Sequence, residues 1–323
     1  MTSKLAPIVL FCYNRPSHVE QTLIALSKNE LADQSVLYIY CDGPKENATN
    51  EQINNIKLTR EVVRKEGWCK EVHIIESEKN KGLANSIIGG VTDVINKYGK
   101  VIVLEDDLVS SPYLLKFMNT ALDYYESYNG VFSVSANRPP LSKMEIPEDY
   151  KYDVFACLRS YSTGWGTWKD RWNKVDWSMD DFEKCKQNSN MLRALNRLGE
   201  DFPPMMQMQE DGKIDSWAVR FGFTHFKHHA VAILPCYSYV TNIGFDGSGI
   251  HSGTVADLYE NDLTKSIEYP KMLDIIYEDD RIINAFYSSY YPHTRPLWQK
   301  VINFIARKLG QKPPFVIKKK VYV

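Results

Sequence analysis

Three acidic residues, Glu105-Asp106-Asp107, directly follow the apolar run Val101-Ile102-Val103-Leu104. The run predicts a buried strand, so the carboxylates emerge where that strand ends. Proteins hold Mg²⁺ and Mn²⁺ with one or two carboxylates, waters and phosphate oxygens, and such an ion neutralises the charge on a departing diphosphate. Side chains alternate in direction along an extended segment, so we expect one acid to bind the cation and another a ribose or sugar hydroxyl. The alternative interpretation is a solvated loop or a helix N-cap.

Polar residues also follow the three apolar runs that precede this segment. The runs and the residues that end them are Pro7–Tyr13 with Asn14-Arg15, Ser35–Cys41 with Asp42, and His73–Glu76 with Asn80-Lys81-Gly82. Helical patterns separate the runs, which predicts an α/β fold with a parallel, doubly wound sheet. Ligands of such sheets bind where strands end at their carboxyl edge. Taken singly, Asp42 also fits an ordinary turn, and Asn80 with Gly82 also fits the start of a helix.

These residues together resemble the GT-A glycosyltransferases. The segment Leu104-Glu105-Asp106-Asp107-Leu108 is similar to the acidic signature, usually written DxD, of the N-acetylglucosaminyltransferase I group and related bacterial family 2 enzymes. The opening residues 7–16 resemble the first strand and nucleotide-binding turn of that fold, and the resemblance extends over about residues 7–112. It implies a Rossmann-like, mostly parallel sheet flanked by helices, with a mixed acceptor-side half.

The resemblance also implies what individual residues contact. Asp107 corresponds to the acid that binds the metal, Mn²⁺ or Mg²⁺, and Asp42 to the acid that contacts uracil or ribose. Asn80 and Gly82 match the Asn-x-Gly loop that lies against the nucleotide. The remaining expected contacts to the nucleotide sugar are Asn14, Arg15, Glu105 and Asp106. The donor implied is a nucleotide sugar, most simply a UDP-sugar.

Transfer with inversion needs a carboxylate that accepts the proton of the acceptor hydroxyl. The acids available downstream are Glu210, Asp211 and Asp215. Asp215 precedes Trp217 and Arg220, as the base of the resembled family precedes a Trp and an Arg, although the spacing differs by one residue. We favour Asp215 as the base, with Asp211 as second choice; an N-cap and a surface acid are the alternatives.

Two further residues belong to segments rich in glycine. Trp165, in Gly164-Trp165-Gly166, resembles the loop near the sugar, and its ring offers a flat face to sugar C–H bonds, although an aromatic residue can equally belong to the core. His251 lies in Gly244–Gly253, where glycine hinges suit a lid that closes over the donor. His251 then binds diphosphate or metal, or it is only a surface group.

Composition excludes several classes of protein. The 323 residues include 39 basic and 40 acidic ones, so no global charge favours nucleic acid. The six cysteines are scattered without CxxC pairs, which indicates buried free thiols. The start lacks the length and basic leader of a secretory signal, and no run of about twenty apolar residues occurs. We therefore expect a cytoplasmic protein.

We divide the chain into a nucleotide-sugar-binding half at 1–130, an acceptor-binding half of the same domain at 131–290, and a tail at 291–323. Residues 295–323 contain eight Lys or Arg and no acidic residue, and the apolar residues of this segment favour one helical face. The tail fits either an anionic membrane surface, on the inner face of the cell membrane, or a helix packed on the body.

The sequence thus predicts a metal-dependent glycosyltransferase that moves a hexose or N-acetylhexosamine from a nucleotide sugar to a glycan or lipid-linked glycan, with inversion, in polysaccharide or glycolipid biosynthesis. One alternative is a sugar nucleotidyltransferase, which usually has a Gly-rich basic loop after its first strand; Arg15-Pro16-Ser17 is not such a loop. The other is a carbohydrate- or nucleotide-binding protein without catalytic activity.

Overall fold

The computed structural model describes residues 4–140, 143–245, 261–290 and 297–308. The strands in this part of the chain are Ile8–Cys12 (β1), Val36–Cys41 (β2), Glu71–Glu76 (β3), Lys100–Glu105 (β4), Leu108–Ser110 (β5), Val131–Ser135 (β6), Val154–Cys157 (β7), Trp165–Trp168 (β8), Val231–Pro235 (β9) and Val240–Asn242 (β10). The α-helices are Pro16–Ser27 (α1), Asn50–Val63 (α2), Leu83–Tyr98 (α3), Leu114–Tyr125 (α4), Lys169–Trp172 (α5), Asp180–Lys186 (α6), Ser189–Leu195 (α7), Phe202–Glu210 (α8), Trp217–Lys227 (α9), Asp280–Tyr290 (α10) and Leu297–Lys308 (α11).

An eight-stranded sheet in the order β3-β2-β1-β4-β8-β6-β9-β7 forms the centre of the fold. Strands β3, β2, β1 and β4 are parallel. Strand β8 runs antiparallel to β4 and β6, and β7 runs antiparallel to β9, while β6 and β9 are parallel. Six strands of this eight-stranded sheet therefore share one direction, and only β8 and β7 run the opposite way. The predicted class, a Rossmann-like and mostly parallel α/β sheet with helices and a mixed second half, is confirmed.

Local sequence explains where the first helices begin and end. Pro16 occupies the first turn of α1, where its missing N–H costs nothing. Thr49 and Gln52 form a reciprocal capping box that starts α2. Gly99, at φ +84°, ends α3 in the left-handed conformation that glycine adopts without strain. Helix α3 thus stops directly before β4, which begins at Lys100.

Helices pack on both faces of the sheet. Apolar side chains of α1, α2 and α4 bury one face of β1, β2 and β4. Helix α3 covers the other face, together with the aromatic rings of Trp165, Trp172 and Trp217. The five residues of β1 are all buried. Polar groups that follow β1 therefore lie at the edge of a sheet that is covered on both sides.

The apolar pattern of Val231–Val240 predicts an antiparallel hairpin, and this prediction is wrong. Strand β9 pairs in parallel with β6 and antiparallel with β7, whereas β10 leaves the main sheet. β10 pairs instead with β5, with Asn242 opposite Leu108. The alternation of apolar residues predicted the strands but carried no information on their partners. The consequence is functional, because β5 follows Asp107 directly.

Two further expectations concern thiols and membranes. The six cysteines are free, and all except the half-buried Cys69 are buried, which agrees with the predicted thiols. Among the helices of the described ranges, none has the length and apolar character needed to cross a bilayer.

Candidate active site

The carboxyl ends of β1, β2 and β4 form the edge that collects the predicted polar residues. The chain passes from β1 outward to β2 and β3, and then returns through α3 to β4 on the other side of β1. Such a reversal of strand order separates the loops on either side and leaves a crevice between them. The loop after β1 faces this crevice from one strand and the acidic segment after β4 faces it from the neighbouring strand.

Asp42 organises the loops that follow β2 and β3. Its Oδ1 accepts hydrogen bonds from the N–H groups of Gly43 and Lys81, each at 2.9 Å. Its Oδ2 accepts from the Asn80 side-chain amide at 3.0 Å and from the Gly82 N–H at 3.2 Å. The structure therefore brings Asp42, Asn80 and Gly82 into one cluster. The predicted contacts with uracil or ribose remain predictions.

Arg15 joins the loop after β1 to the acidic segment after β4. One guanidinium nitrogen, Nη2, donates to Asp106 Oδ1 and also to Asp107 Oδ2, the latter at 3.0 Å. The Thr22 hydroxyl of α1 donates to the Asp106 carbonyl at 2.8 Å. The Arg15 side chain, directly before α1, binds the side chains of the acidic segment, and Thr22 of α1 binds its main chain. Together they hold α1 and the acidic segment in place.

The three acids lie too close together to ionise independently. Burial, followed by the charges of Asp107 and Asp106, raises the pKa of Glu105 to about 8. Burial also raises the pKa of Asp106 to about 6, against the opposing effect of Arg15. Glu105 is therefore largely protonated at neutral pH, and Arg15 faces the carboxylates of Asp106 and Asp107. The crevice is a place where a further cation is electrostatically favoured.

Two residues that the sequence did not single out, Asn242 and Gly244, border Asp107. The Asn242 amide faces Asp107 Oδ1 at 3.4 Å, and the Ile243 N–H donates to the Asp107 carbonyl at 2.9 Å. A side chain at position 244 would not fit, because its Cβ would clash with Asp107 Oδ2 and lie 2.9 Å from Arg15 Nη1. Gly244 opens the Gly-rich segment, which was a usable signal, but Asn242 enters the site only through the unforeseen pairing of β10 with β5.

A divalent cation fits the chemistry of these donors. Within the described ranges, no group of three or more His, Cys, Asp or Glu side chains is arranged so that it could hold a metal ion without other ligands. Mg²⁺ and Mn²⁺ at nucleotide sites take most ligands from water and phosphate and need only one or two carboxylates. Asp107, whose side chain is 14% exposed, borders the crevice beside an excess of negative charge. Asp107 and Asp106 are hard oxygen donors of the required kind.

Trp165 lies in the core rather than on an open surface. It is 2% exposed, and its ring stacks on Trp217 with centroids 4.7 Å apart. Trp165, Trp217 and Phe221 line a small pocket that admits no water molecule, together with Ser133, Ser160, Tyr161 and Ser162. The ring of Trp165 is therefore covered in this conformation, and the sugar contact predicted for it stays a prediction.

The predicted bases lie around the start of α9. Asp215 is exposed and forms an ion pair with Arg220 at 2.5 Å. Asp211 pairs with Lys213 at 2.7 Å, and hydrogen bonds from Lys213 and Gln207 lower its pKa. Glu210 pairs with Lys186 at 2.5 Å. In the described part of the chain, no hydrogen bond joins these acids to the Glu105–Asp107 segment, so the choice of base stays a prediction. His251 and residues 246–253 of the predicted lid lie outside the described residues.

No protein-family model matches this chain, and no curated protein matches it in sequence. Solved structures do resemble it. One is S. aureus TarS, at 9% identity and a TM-score of 0.39, over 73% of this chain and 36% of that one. Another is the Mycobacterium tuberculosis glucosyl-3-phosphoglycerate synthase with Mn²⁺, UDP and glucosyl-3-phosphoglycerate, at 10% identity and 0.31, over 52% and 57%. A UDP-glucose pyrophosphorylase bound to UDP-glucose shows 13% identity and 0.37, over 73% and 93%.

The chain thus spans about a third of TarS and just over half of the glucosyl-3-phosphoglycerate synthase. With TM-scores below 0.4, these similarities assign no activity to the present chain.

Proposed function

We propose that this chain is a glycosyltransferase of the GT-A type that uses a nucleotide-sugar donor, most simply a UDP-sugar, and a divalent cation. The observation that carries the proposal is the meeting of two polar clusters at one crevice. The Asp42 cluster lies at the ends of β2 and β3, and Arg15 with the acidic segment lies at the ends of β1 and β4. A nucleoside fits the first cluster and a diphosphate with its cation fits the second.

Each cluster supplies a distinct interaction to the donor. The Asn80 amide oxygen and the loop that Asp42 holds in shape would contact the nucleoside; the hydrogen bonds of Asp42 to Asn80 and Gly82 support this proposal. Asp107, with Asp106, would hold Mn²⁺ or Mg²⁺, which offsets the charge of the leaving diphosphate when it is bound. Arg15 and Asn14 close the crevice from the β1 side. The donor sugar then lies beyond the acids, towards β6 and β8.

The acceptor side is proposed to include the small pocket beside Trp165, which is too narrow for a sugar as it stands and would have to open. Its serine and tyrosine hydroxyls can donate and accept hydrogen bonds as sugar hydroxyls do. Asp215 is the proposed base, because it precedes the helix that carries Trp217 into this pocket and because Arg220 holds its carboxylate. Asp211 is the second choice. Direct displacement with inversion at the anomeric carbon follows from a single base that activates the acceptor hydroxyl.

The connection between β1 and α1 favours transfer over nucleotidyl exchange. β1 ends at Cys12 and α1 begins at Pro16, so only Tyr13, Asn14 and Arg15 connect them. This short connection contains no glycine and one basic residue. A Gly-rich basic loop, which nucleotidyltransferases usually place at this point, has no room here.

Thermal unfolding with Mn²⁺ and a panel of nucleoside diphosphates tests the donor site, because a ligand of the folded state raises its apparent stability. We expect a Mn²⁺-dependent shift that is specific to one base, with UDP as the first candidate, and that Asp107→Ala abolishes. Glu61→Ala, which removes an exposed acid on α2, is the matched control and should keep the shift. Transfer of radiolabelled sugar to a glycan, lost in Asp107→Ala, then separates an enzyme from a binding protein. A base-independent shift, or one that survives in Asp107→Ala, would contradict the proposal.

We further propose that α11 contacts an anionic membrane, where a lipid-linked glycan acceptor would lie. Four apolar side chains of this helix are largely exposed: Val301, Ile302, Phe304 and Ile305, between 40% and 59%. Residues 295–323 add eight basic residues and no acid. Exposed apolar side chains next to basic charge are typical of helices that lie in the interface of anionic bilayers.

Co-sedimentation with phosphatidylglycerol vesicles tests the membrane contact. The chain should sediment with these vesicles and not with phosphatidylcholine, and Ile305→Ser should reduce the bound fraction several-fold. Ile53→Ser on α2 is the matched control, because Ile53 and Ile305 are both 49% exposed. Equal effects of the two substitutions would show that α11 is not the contact.

A further inference from the structure

The Arg15 guanidinium occupies the position that a cation on Asp107 needs. Its Nη2 lies 3.0 Å from Asp107 Oδ2 and also donates to Asp106 Oδ1. A divalent ion bound to Oδ2 would lie at about 2.0–2.6 Å from it. The ion and the guanidinium would then approach the same oxygen, and two positive groups at such a distance repel each other. Each of them therefore weakens the binding of the other to Asp107 Oδ2.

The surroundings of Asp107 leave the ion little alternative. Oδ1, the other carboxylate oxygen, faces the Asn242 amide at 3.4 Å. Asn242 is itself fixed, because its Oδ1 accepts the Gly244 N–H at 2.7 Å. The main chain of Gly244 lies against both Asp107 and Arg15, where not even a Cβ fits. The carboxylate is thus held between the arginine on one oxygen and the β10 segment on the other.

We infer that Arg15 competes with the divalent cation for Asp107, and that the nucleotide diphosphate resolves the competition. This inference rests on the proposed function. When a cation takes Asp107 Oδ2, Arg15 loses half of its ion pair, and a diphosphate beside it offers a new partner. A guanidinium binds phosphate oxygens through two parallel N–H groups. The cation displaces Arg15 from Asp107 and frees it for the diphosphate. The diphosphate in turn draws Arg15 away from Asp107 and frees that carboxylate for the cation, so the two ligands bind cooperatively.

Arg15 is therefore a positioning residue that makes the site selective for the cation and diphosphate together. Without a nucleotide, it satisfies Asp106 and Asp107 and keeps the free cation out. Linkage requires that the diphosphate increases the affinity for the cation by the same factor as the cation increases that for the diphosphate. Phosphate oxygens that ligate the ion couple the two ligands in any case, so the contribution of Arg15 is the part of the coupling that is lost when Arg15 is removed.

Calorimetric and electron paramagnetic resonance titrations of Mn²⁺ into the full chain, with and without UDP, test the inference without any turnover. In the wild type, UDP should tighten Mn²⁺ binding on the order of tenfold or more. In Arg15→Met, Mn²⁺ without UDP should bind on the order of tenfold more tightly than in the wild type, and the enhancement by UDP should shrink correspondingly. Arg15→Lys keeps the positive charge but not the forked donors, so Mn²⁺ without UDP should bind as weakly as in the wild type, and only part of the enhancement by UDP should remain.

Two controls separate competition from other effects. Arg281→Met removes another arginine that pairs with two aspartates, Asp149 and Asp279, away from the crevice, and should leave Mn²⁺ binding unchanged. Thermal unfolding checks that Arg15→Met is folded. If it is not, Arg15→Gln replaces it, because the amide fills part of the space and still lacks the charge.

The outcomes distinguish this inference from the proposed function. Weaker or unchanged Mn²⁺ binding in the folded Arg15 variant overturns the competition. The donor site still stands in that case if wild-type binding requires Asp107 and UDP. Wild-type protein that binds no Mn²⁺ even with UDP overturns both proposals.

Discussion

At the scale of single residues, the site is preorganised by side chains that bind each other. Asp42 illustrates this, because its carboxylate accepts four hydrogen bonds from the loop it is expected to share with a nucleotide. A carboxylate already satisfied in this way does not have to reorganise when a ligand arrives. Its contribution to binding is then chiefly the shape of the loop around Asn80 and Gly82.

Asp42→Ala should therefore lower both stability and nucleotide binding. The substitution leaves the N–H groups of Gly43, Lys81 and Gly82 without their acceptor, and we expect a loss of about 1–3 kcal/mol in the free energy of unfolding. Urea denaturation measures the change. Asp42→Asn, which keeps an acceptor oxygen, should lose less; equal losses would argue against the hydrogen bonds as the cause.

His225 provides a residue-scale prediction of pH dependence. Its Nδ1 donates to the Phe221 carbonyl at 2.9 Å, so its Nε2 accepts from the Ser133 hydroxyl, also at 2.9 Å. Burial lowers the pKa of His225 from 6.5 to about 4. Between these values the unfolded chain binds a proton that the folded chain excludes, so stability falls as the pH falls from about 6.5 to 4.

Replacing His225 by Phe should remove this part of the acid sensitivity. The wild type should lose about 2–3 kcal/mol more than the variant between pH 7 and pH 4, although the variant is less stable at pH 7. Urea denaturation at several pH values gives both curves. Parallel curves for the wild type and His225→Phe would refute the assignment.

Residue types indicated chemistry well but could not indicate partners. The acids at 105–107, Arg15 and Asp42 were each identified by their place just after a predicted strand, and the structure brings them to one edge. The direct pairing of Arg15 with Asp106 and Asp107 joins residues 91 and 92 positions apart in sequence, beyond any local pattern. Trp165 shows that sequence context can also mislead. The glycines on either side of it suggest that a ligand can reach the ring, but packing in the folded protein buries it.

At the scale of elements, α3 carries the loop of Asn80 and Gly82 and must lie close to the sheet. Its close approach depends on Gly90, where a Cβ would lie 2.8 Å from the Phe11 ring and 3.2 Å from Tyr40. The preceding residue, Gly89, faces open space. Gly90 is therefore required for the close packing of α3 on the sheet, whereas Gly89 is not.

Alanine substitutions at these two positions should have opposite signs. Gly90→Ala forces α3 away from β1 and β2, and we expect it to destabilise the protein by about 1–3 kcal/mol. Gly89→Ala adds a better helix former at an uncrowded site and should stabilise by about 0.5–1 kcal/mol. Urea denaturation of both variants is the measurement. A loss in both would mean that helix propensity does not decide the effect at Gly89.

Elements near the start of the chain were predictable because each strand run is short, apolar and separated by a helical pattern. The pairing of β10 with β5 was not, because three-residue strands have too few side chains to specify a register. Asn242 and Gly244 depend on that pairing for their place beside Asp107. The part of the site that escaped prediction is thus the part built by the shortest strands.

At the scale of the whole molecule, one sheet connects the two halves of the chain. β8, from the second half, lies between β4 and β6. Lys100–Val103 of β4 pair with Trp165–Trp168 of β8. The expected boundary near residue 130 therefore runs through a hydrogen-bonded sheet.

We expect the body of the protein to unfold in one cooperative transition, since neither half has a complete sheet alone. Far-UV circular dichroism and tryptophan emission should give the same urea midpoint. A Trp68→Phe variant restricts the emission of the body largely to the second half, where Trp165, Trp168, Trp172, Trp177 and Trp217 lie, and its midpoint should still match the dichroism. Two separated midpoints would contradict the prediction.

The position of β8 also bears on how the chain is made. β4 ends at Glu105, but β8, the strand that covers its open side, begins only at Trp165. At about 5–20 residues per second, a ribosome needs on the order of several seconds to synthesise the intervening segment. During that interval the nascent chain carries an apolar strand with an unpaired edge, right beside the acids of the future site. Synthesis order thus leaves this strand edge open to pairing with other chains until β8 has been made.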